Sequence, residues 1–248
     1  MKDFTIGIAG LASYATADIF KRIVDAFPAE KEWDRPRVII DNDCRIPSRV
    51  RAILYGENIE EVVSGMTSQI HYLIAGGADK VIVGCNTAHY FLPSVCERLG
   101  SKESDRILNL IANTGKYILD KYGEIEIGLI ASEGVLDTRI YHNTMEEKGI
   151  RVYSPDKNKY TVIREMIESV KQDKINAEII SKFSALLEEF SQKYIVLGCT
   201  ELPVLYDVAL NEGYNFNKVI LDPVAVVIDS IKEEWMSLPD VKDFSQIF

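Results

Sequence analysis

The sequence predicts an α/β protein built as two similar lobes, each around a mostly parallel sheet. Three observations lead there. Short, continuous apolar runs alternate with segments of helical period along the chain, the order a parallel sheet with covering helices requires. The pattern also repeats at about half the chain length. Ile6-Gly7-Ile8-Ala9 recurs 121 residues later as Ile127-Gly128-Leu129-Ile130, and Val81-Ile82-Val83-Gly84-Cys85 recurs 114 residues later as Ile195-Val196-Leu197-Gly198-Cys199. A period that long indicates paired lobes rather than a solenoid. Finally, no Pro/Ser-rich linker separates the halves, so the lobes are expected to be tightly apposed with a cleft between them. The expected division is residues 1–115 and 116–214, with a C-terminal segment of about 215–248 packing back on the first lobe.

The elements follow in order. Phe4–Ala9 reads as a strand that runs through a Gly/Ala/Ser turn into a helix at Thr16–Ala26. Arg37–Ile40 is the second strand and Lys80–Val83 the third, with helix-period residues Ile59–Ala75 between them. A helix at Asn113–Tyr122 leads to the strand Ile125–Ile130, then a helix at Leu136–Lys148 and a short strand at Arg151–Tyr153. Helices at Lys159–Ser169 and Asn176–Phe190 precede strands at Tyr194–Leu197 and Val219–Leu221. These strands are short apolar runs bounded by turn residues, as expected for strands buried on both faces.

Composition narrows the function. With 248 residues, 47% apolar and 27% charged, the chain can bury a core without disulfide or metal staples and is too apolar for wholesale disorder. Its 28 Lys and Arg against 38 Asp and Glu leave a net charge of −10. That balance argues against nucleic acid as a partner, because phosphate binding wants clustered Lys and Arg. A small anion remains compatible with it, given a locally positive pocket. Val62–Ala78 and Val81–Cys96, the longest stretches free of Asp, Glu, Lys and Arg, fall short of the roughly 20 apolar residues of a spanning helix. No membrane association is expected. Met1-Lys2-Asp3 followed by Phe4–Ala17 reads as a strand and turn rather than a secretion signal. The four cysteines, Cys44, Cys85, Cys96 and Cys199, are too scattered for a disulfide scaffold and form no C-x-x-C pair for zinc. Free thiols in a reducing cytoplasm are the expectation.

Two of those thiols stand in matched places. Gly84-Cys85-Asn86-Thr87-Ala88-His89 and Gly198-Cys199-Thr200-Glu201-Leu202-Pro203 each follow a buried strand and enter a helix. In open α/β sheets, ligands bind beyond the carboxyl ends of strands. A side chain there faces free N–H groups and the positive end of the next helix, so a thiol is expected to have a lowered pKa. Two opposed thiols suit proton transfer on both faces of one carbon. One thiolate removes an α-proton and the other thiol delivers a proton to the opposite face. Asn86, Thr87 and Thr200 are placed to hold an α-carboxylate and its enediolate-like state, or to act as N-caps, and the two roles are compatible. Cys44 and Cys96 have no motif around them and read as small buried apolar side chains. No nicotinamide, flavin or pyridoxal signature is visible, and neither cofactor nor metal is expected.

At these motifs the chain resembles the cofactor-independent aspartate/glutamate racemase superfamily, most of all its aspartate racemases. Pro36-Arg37-Val38-Ile39-Ile40-Asp41 through Ile46-Pro47-Ser48-Arg49 is similar to the family's P-R-V-x-I-D…I-P-D-R segment. Val83 to Leu92 follows its C-N-T-A-H-Y-F-L pattern, Gly198 to Pro203 matches the second signature, and the similarity covers nearly the whole chain. The resemblance implies two flavodoxin-like lobes related by a pseudo-twofold, with the active site between them, and a cytoplasmic homodimer. It implies racemisation of aspartate without pyridoxal phosphate, with Cys85 and Cys199 as the acid/bases and Asn86, Thr87 and Thr200 on the α-carboxylate. Arg49 would meet the substrate's side-chain carboxylate, to which its planar fork is suited. A second cation is expected on the helix before the second Gly-Cys strand. Lys171 fits that place, its other reading being a solvated helix-end lysine. His89 is either close to the cleft or a satisfied structural histidine.

Two loops depart from the family pattern. Gly10-Leu11-Ala12-Ser13-Tyr14 is one residue shorter than the usual G-G-M-G-P-type loop, and Ala131-Ser132-Glu133-Gly134-Val135 replaces A-T-x-G-T, losing a hydroxyl at Val135. Both are expected at the cleft, which leaves glutamate or another acidic amino acid open as substrate. The superfamily also holds decarboxylases and maleate isomerases, and a binding protein without turnover is the non-enzymatic alternative. Decarboxylation needs only one protonating cysteine, so two argue against it.

Overall fold

The computed structural model describes residues 2–240. The first lobe contains β1 (Thr5–Gly10), α1 (Ser13–Ala26), β2 (Arg37–Asn42), α2 (Arg49–Tyr55), α3 (Ile59–Ala75) and β3 (Lys80–Val83). A 3₁₀ segment at Thr87–Phe91 then runs into α4 (Leu92–Leu99), the short α5 (Ser101–Ser104) and β4 (Ile107–Leu108), and α6 (Leu110–Tyr122) crosses to the second lobe. There follow β5 (Glu126–Ala131), α7 (Glu133–Thr138), α8 (Ile140–Glu146), β6 (Arg151–Tyr153), α9 (Tyr160–Lys171) and α10 (Ala177–Glu189). The chain ends with β7 (Tyr194–Gly198), α11 (Glu201–Asn211), β8 (Val219–Leu221) and α12 (Pro223–Ser237).

Each lobe holds a four-stranded parallel sheet, ordered β2-β1-β3-β4 in the first and β6-β5-β7-β8 in the second. The two orders are the same, so the repeated Gly-Cys strands β3 and β7 hold equivalent places. All seven expected strands are present. β4, with two residues, is too short to carry a periodic signal. The single helix expected at Leu136–Lys148 is two, because Arg139 adopts a left-handed conformation (φ 54°) between α7 and α8.

The two-residue side-chain period explains why these strands do not alternate with polar residues. Ile6 and Ile8 of β1 and Ile82 of β3 pack with Ile19 and Ile23 of α1 and Val227 and Ile231 of α12. Ala9, Val81 and Val83 belong to a second cluster with Val62, Met66 and Ile70 of α3 and Val95 of α4. Both faces are therefore apolar, each fully buried aliphatic contributing roughly 1.5–3 kcal/mol. The second lobe forms one cluster around β5 and β7 with Met166, Phe183 and Leu205. Gly128 is dictated by close approach there: a Cβ would lie 2.5 Å from the Phe190 ring and 2.6 Å from Ile195 Cδ1.

The lobes share more than one chain crossing. Within α6, Leu110 belongs to a first-lobe cluster and Ile118 to that of the second lobe. After β8 has joined the second sheet, α12 returns to pack Val224, Val227, Ile228 and Ile231 against Phe4 and Ile19 of the first lobe. The C-terminal segment expected to pack back is thus divided between the lobes, and its residues 241–248 lie outside the described residues. Arg22 of α1 adds an ionic tie, 2.7 Å from Asp207 of α11 and 3.4 Å from Asp222, the N-cap of α12. No described helix is long and apolar enough to cross a membrane.

Candidate active site

Both Gly-Cys pairs stand where a parallel sheet ends. Cys85 lies just past β3 and Cys199 just past β7, and both line one cavity of about 280 Å³. Its wall also contains Arg49, Thr87, Lys171 and Thr200, so the structure brings together most of the residues singled out in the sequence. Asn86 is set back from that wall. It is buried, its Oδ1 accepts a 2.6 Å hydrogen bond from the Tyr141 hydroxyl, and its Nδ2 has no partner among the described residues.

The two thiols have different surroundings. Cys85 is half-buried, and no group among the described residues hydrogen-bonds its sulfur. Cys199 is only 7% exposed and donates its S–H to Glu201 Oε2 at 2.9 Å. Its thiol is pushed well above the ordinary range, first by burial and then by the Glu201 carboxylate and Cys85, with Lys171 pulling the other way. The lowered pKa expected for this position is therefore corrected for Cys199. The positive end of α11 is present, but desolvation and the acid at its first residue outweigh it.

Hydrogen bonds across the cleft hold these residues in place. Thr87 Oγ1 and Ser132 Oγ are 2.8 Å apart, and Thr200 Oγ1 donates to the Gly84 carbonyl at 3.3 Å. Neither threonine, nor Asn86, makes a side-chain cap to its helix, so the N-cap reading is set aside. His89 proves to be a structural histidine. Its Nε2 accepts from Leu110 N–H at 3.0 Å, which leaves Nδ1–H to donate to the Cys85 carbonyl at 2.9 Å. Burial lowers its pKa to about 4, so the ring is neutral at pH 7 and fixes the Cys85 backbone.

The cations differ in how far they are neutralised. Lys171 Nζ is 2.8 Å from Glu168 Oε1. Its burial favours the neutral amine, but Glu201, Glu168 and Cys199 together keep its pKa above the ordinary value. Arg164 pairs with Glu133, and Arg51 grips Glu57 through Nε and Nη2, both at 2.7 Å. Arg49 has no acidic partner among the described residues. Its Nη1 donates to the carbonyls of Ile46 (2.9 Å) and Pro47 (3.0 Å), and its Nη2 to that of Leu11 (3.1 Å). Nε is buried with no partner. Of the five N–H donors a guanidinium carries, three are used; Nε–H and one Nη2–H remain. Those two nitrogens form the edge with which Arg51 grips Glu57, and that edge matches a carboxylate.

The cavity wall includes residues that the sequence reading did not single out. Ser132, Glu133, Arg164, Glu168 and Glu201 all line it. Ser132 and Glu133 sit in the altered second-lobe loop, and Glu201 stood inside the second motif. Tyr141, fully buried behind the wall, has no local signature. Val135 is fully buried in the second-lobe core and is not part of the wall, so the lost hydroxyl removes nothing from the cavity. Cys44 is exposed rather than buried, 3.4 Å from Ser13 Oγ, and Cys96 is half-buried.

A family model described as Asp/Glu/Hydantoin racemase matches residues 8–231. The chain is similar to Glutamate racemase 3 of Caldanaerobacter subterraneus subsp. tengcongensis, with 24% identity over 238 residues, 93% of this chain and 76% of that one. In structure it is similar to an aspartate racemase from Picrophilus torridus, with a TM-score of 0.74, 23% identity and coverage of 94% of this chain and 95% of that one. It is also similar to an aspartate racemase homologue from Pyrococcus horikoshii, with a TM-score of 0.71, 20% identity and coverage of 96% and 100%. At those identities the solved structures establish a shared fold.

Proposed function

The chain belongs to the Asp/Glu/hydantoin racemase family, and from that premise we propose that it interconverts L- and D-aspartate by two-cysteine proton transfer. The observation that carries this reading is the placing of Cys85 and Cys199, from equivalent strands of two lobes, on one cavity. A cysteine thiolate on one face of the substrate takes the α-proton, the C–H electrons pass into an enediolate-like carboxylate, and the opposite S–H reprotonates the carbon. Reversal exchanges the roles of the two sulfurs. Thr87 and Thr200, their hydroxyls turning from Ser132 and the Gly84 carbonyl, hold the α-carboxylate with the buried Asn86 amide behind them, and hydrogen-bond donors there stabilise the charge that develops. The free edge of Arg49 receives the side-chain carboxylate, and Lys171 adds positive potential. We take the chain to act in the cytoplasm as a homodimer, and sedimentation of the purified protein tests the dimer.

Glutamate is the second reading, favoured by the similarity to a protein named as a glutamate racemase. Incubation with each enantiomer of aspartate and of glutamate in D2O, without pyridoxal phosphate, separates the two. Deuterium entering the α-position of aspartate with inversion, followed by NMR and chiral chromatography, is the expected result. Exchange confined to glutamate would replace the substrate, and tight binding without exchange would remove the activity.

A further inference from the structure

The repeat places the two thiols equivalently, yet among the described residues only Cys199 is hydrogen-bonded through its sulfur. We propose that Glu201 is a positioning residue that holds Cys199 as an oriented, protonated thiol, the acid of the resting pair. This rests on the two-cysteine reading above. The geometry is specific. Cys199 Sγ lies 2.9 Å from Glu201 Oε2, and Thr200 Oγ1 lies 3.3 Å from the same oxygen, an alternative acceptor to the Gly84 carbonyl for its one hydrogen. Glu201 is itself only 4% exposed and occupies the first residue of α11. A carboxylate there accepts the S–H in one direction only, which fixes where the sulfur points its proton.

The remaining charged and titratable groups facing Cys199 come from other elements. Lys171 of α9 favours the thiolate, itself shared with Glu168, whereas Cys85 across the cleft opposes it. Tyr141 of α8 is electrostatically coupled to Cys199 but gives its hydroxyl hydrogen to Asn86. Burial and Glu201 therefore stand together against ionisation, consistent with the raised thiol pKa. When Cys199 must act as base, the thiolate next to Glu201 is scarce but strongly basic. Because the two enantiomers are equal in energy, kcat/KM for the two directions must be equal at every pH. The asymmetry therefore shows as a pH limb rather than as a preferred direction.

The test is the pH dependence of Cys199 alkylation by iodoacetamide in the protein without substrate, read peptide by peptide by mass spectrometry. Glu201→Gln keeps an acceptor of the same shape and removes the charge. Below the midpoint, its Cys199 should be alkylated about tenfold faster than in the wild type, the factor that one pH unit represents. Glu201→Asp, which keeps the charge but withdraws it by a methylene, should fall between the two and carries the test if the Gln variant does not fold. The alkaline limb of kcat/KM should move to lower pH equally for both enantiomers, which a merely structural role would not produce. An unmoved Cys199 midpoint, or slower alkylation in Glu201→Gln, overturns the inference whether or not the protein racemises. A moved midpoint in a protein that racemises nothing supports the role of Glu201 and removes the proposed activity instead.

Discussion

Replacing Arg49 by lysine isolates the edge proposed to read the substrate's second carboxylate. Arginine offers five donors, and the carbonyls of Ile46, Pro47 and Leu11 take three of them. Lysine offers three in all, so a lysine that kept those loop contacts would have none left for a ligand. The positive charge survives and the fork does not. Two charge-assisted hydrogen bonds are worth roughly 1.5–3 kcal/mol each, and the retained charge offsets part of their loss. About 3 kcal/mol should disappear from transition-state binding, on the order of a hundredfold in kcat/KM. Chiral chromatography of aspartate turnover in both directions measures it, and thermal unfolding shows whether the loops remain held. The fall should be specific to substrates with a second carboxylate, leaving any slow exchange of alanine unchanged. A folded Arg49→Lys protein that lost less than about threefold on aspartate, or lost as much on alanine, would refute the reasoning.

The remaining expectations concern the thiols, the lobe contact and pH. Cys85→Ser and Cys199→Ser should each abolish inversion in the chiral assay, and wild-type rates in either would sink the two-thiol mechanism. In Gly134→Ala, the new Cβ would stand 3.1 Å from Thr87 Cγ2 and 3.3 Å from Ile53 Cδ1. Pushing α7 away from the first lobe should cost about 1–3 kcal/mol, offset in part by the roughly 0.5–1 kcal/mol that alanine gains over glycine within α7. The change in Tm should therefore stay within about 4 °C, while kcat falls as the Thr87–Ser132 bond is stretched. His89, lowered by burial from 6.5 to about 4, resists a proton that the unfolded chain accepts. It therefore removes stability as pH falls through that window, about 3 kcal/mol in all. Asp222 does the reverse: burial, opposed by Arg22, raises it from 3.8 to about 6, so stability is lost as pH rises between those values, again by about 3 kcal/mol. The two slopes nearly cancel in the intact protein. Urea unfolding of His89→Gln should expose the Asp222 slope, with stability rising from pH 7 toward pH 4.5, and a profile no different from wild type would contradict that assignment.

The fold was legible because a strand buried on both faces has few alternatives. Ile6-Gly7-Ile8-Ala9 and Val81-Ile82-Val83 are apolar at every position, and helices cover both sides of the first sheet. What the pattern did not reveal depends on contacts remote in sequence. The break at Arg139 places Tyr141 within reach of Asn86, 55 residues earlier, and nothing local to Ile140-Tyr141-His142 announces that contact. The last segment misleads for a similar reason. Its strand β8 pairs with β7 while its helix α12 fills the opposite lobe, and no periodicity distinguishes an element that changes lobes from one that stays.

The site was legible at the level of which residues meet, and less so at the level of charge. A helix N-terminus is a fixed feature of the backbone, so a thiol beside it invites the inference that it ionises readily. Cys199 shows the limit of that rule. The macrodipole is equivalent to about half a charge, whereas a carboxylate at the first helical residue brings a whole negative charge to 2.9 Å from the sulfur. Burial removes the water that would have screened it. After Cys85 the chain continues through a 3₁₀ segment with no acid in its first turn. Among the described residues, the same strand-end position thus supplies a thiol hydrogen-bonded through its sulfur in one lobe and one without such a bond in the other. For the proposed two-cysteine transfer, which needs one sulfur with its proton and one without, that difference matters more than the symmetry. A repeated scaffold places both thiols on one cavity, and among the described residues a single side chain at the start of one helix hydrogen-bonds one of them.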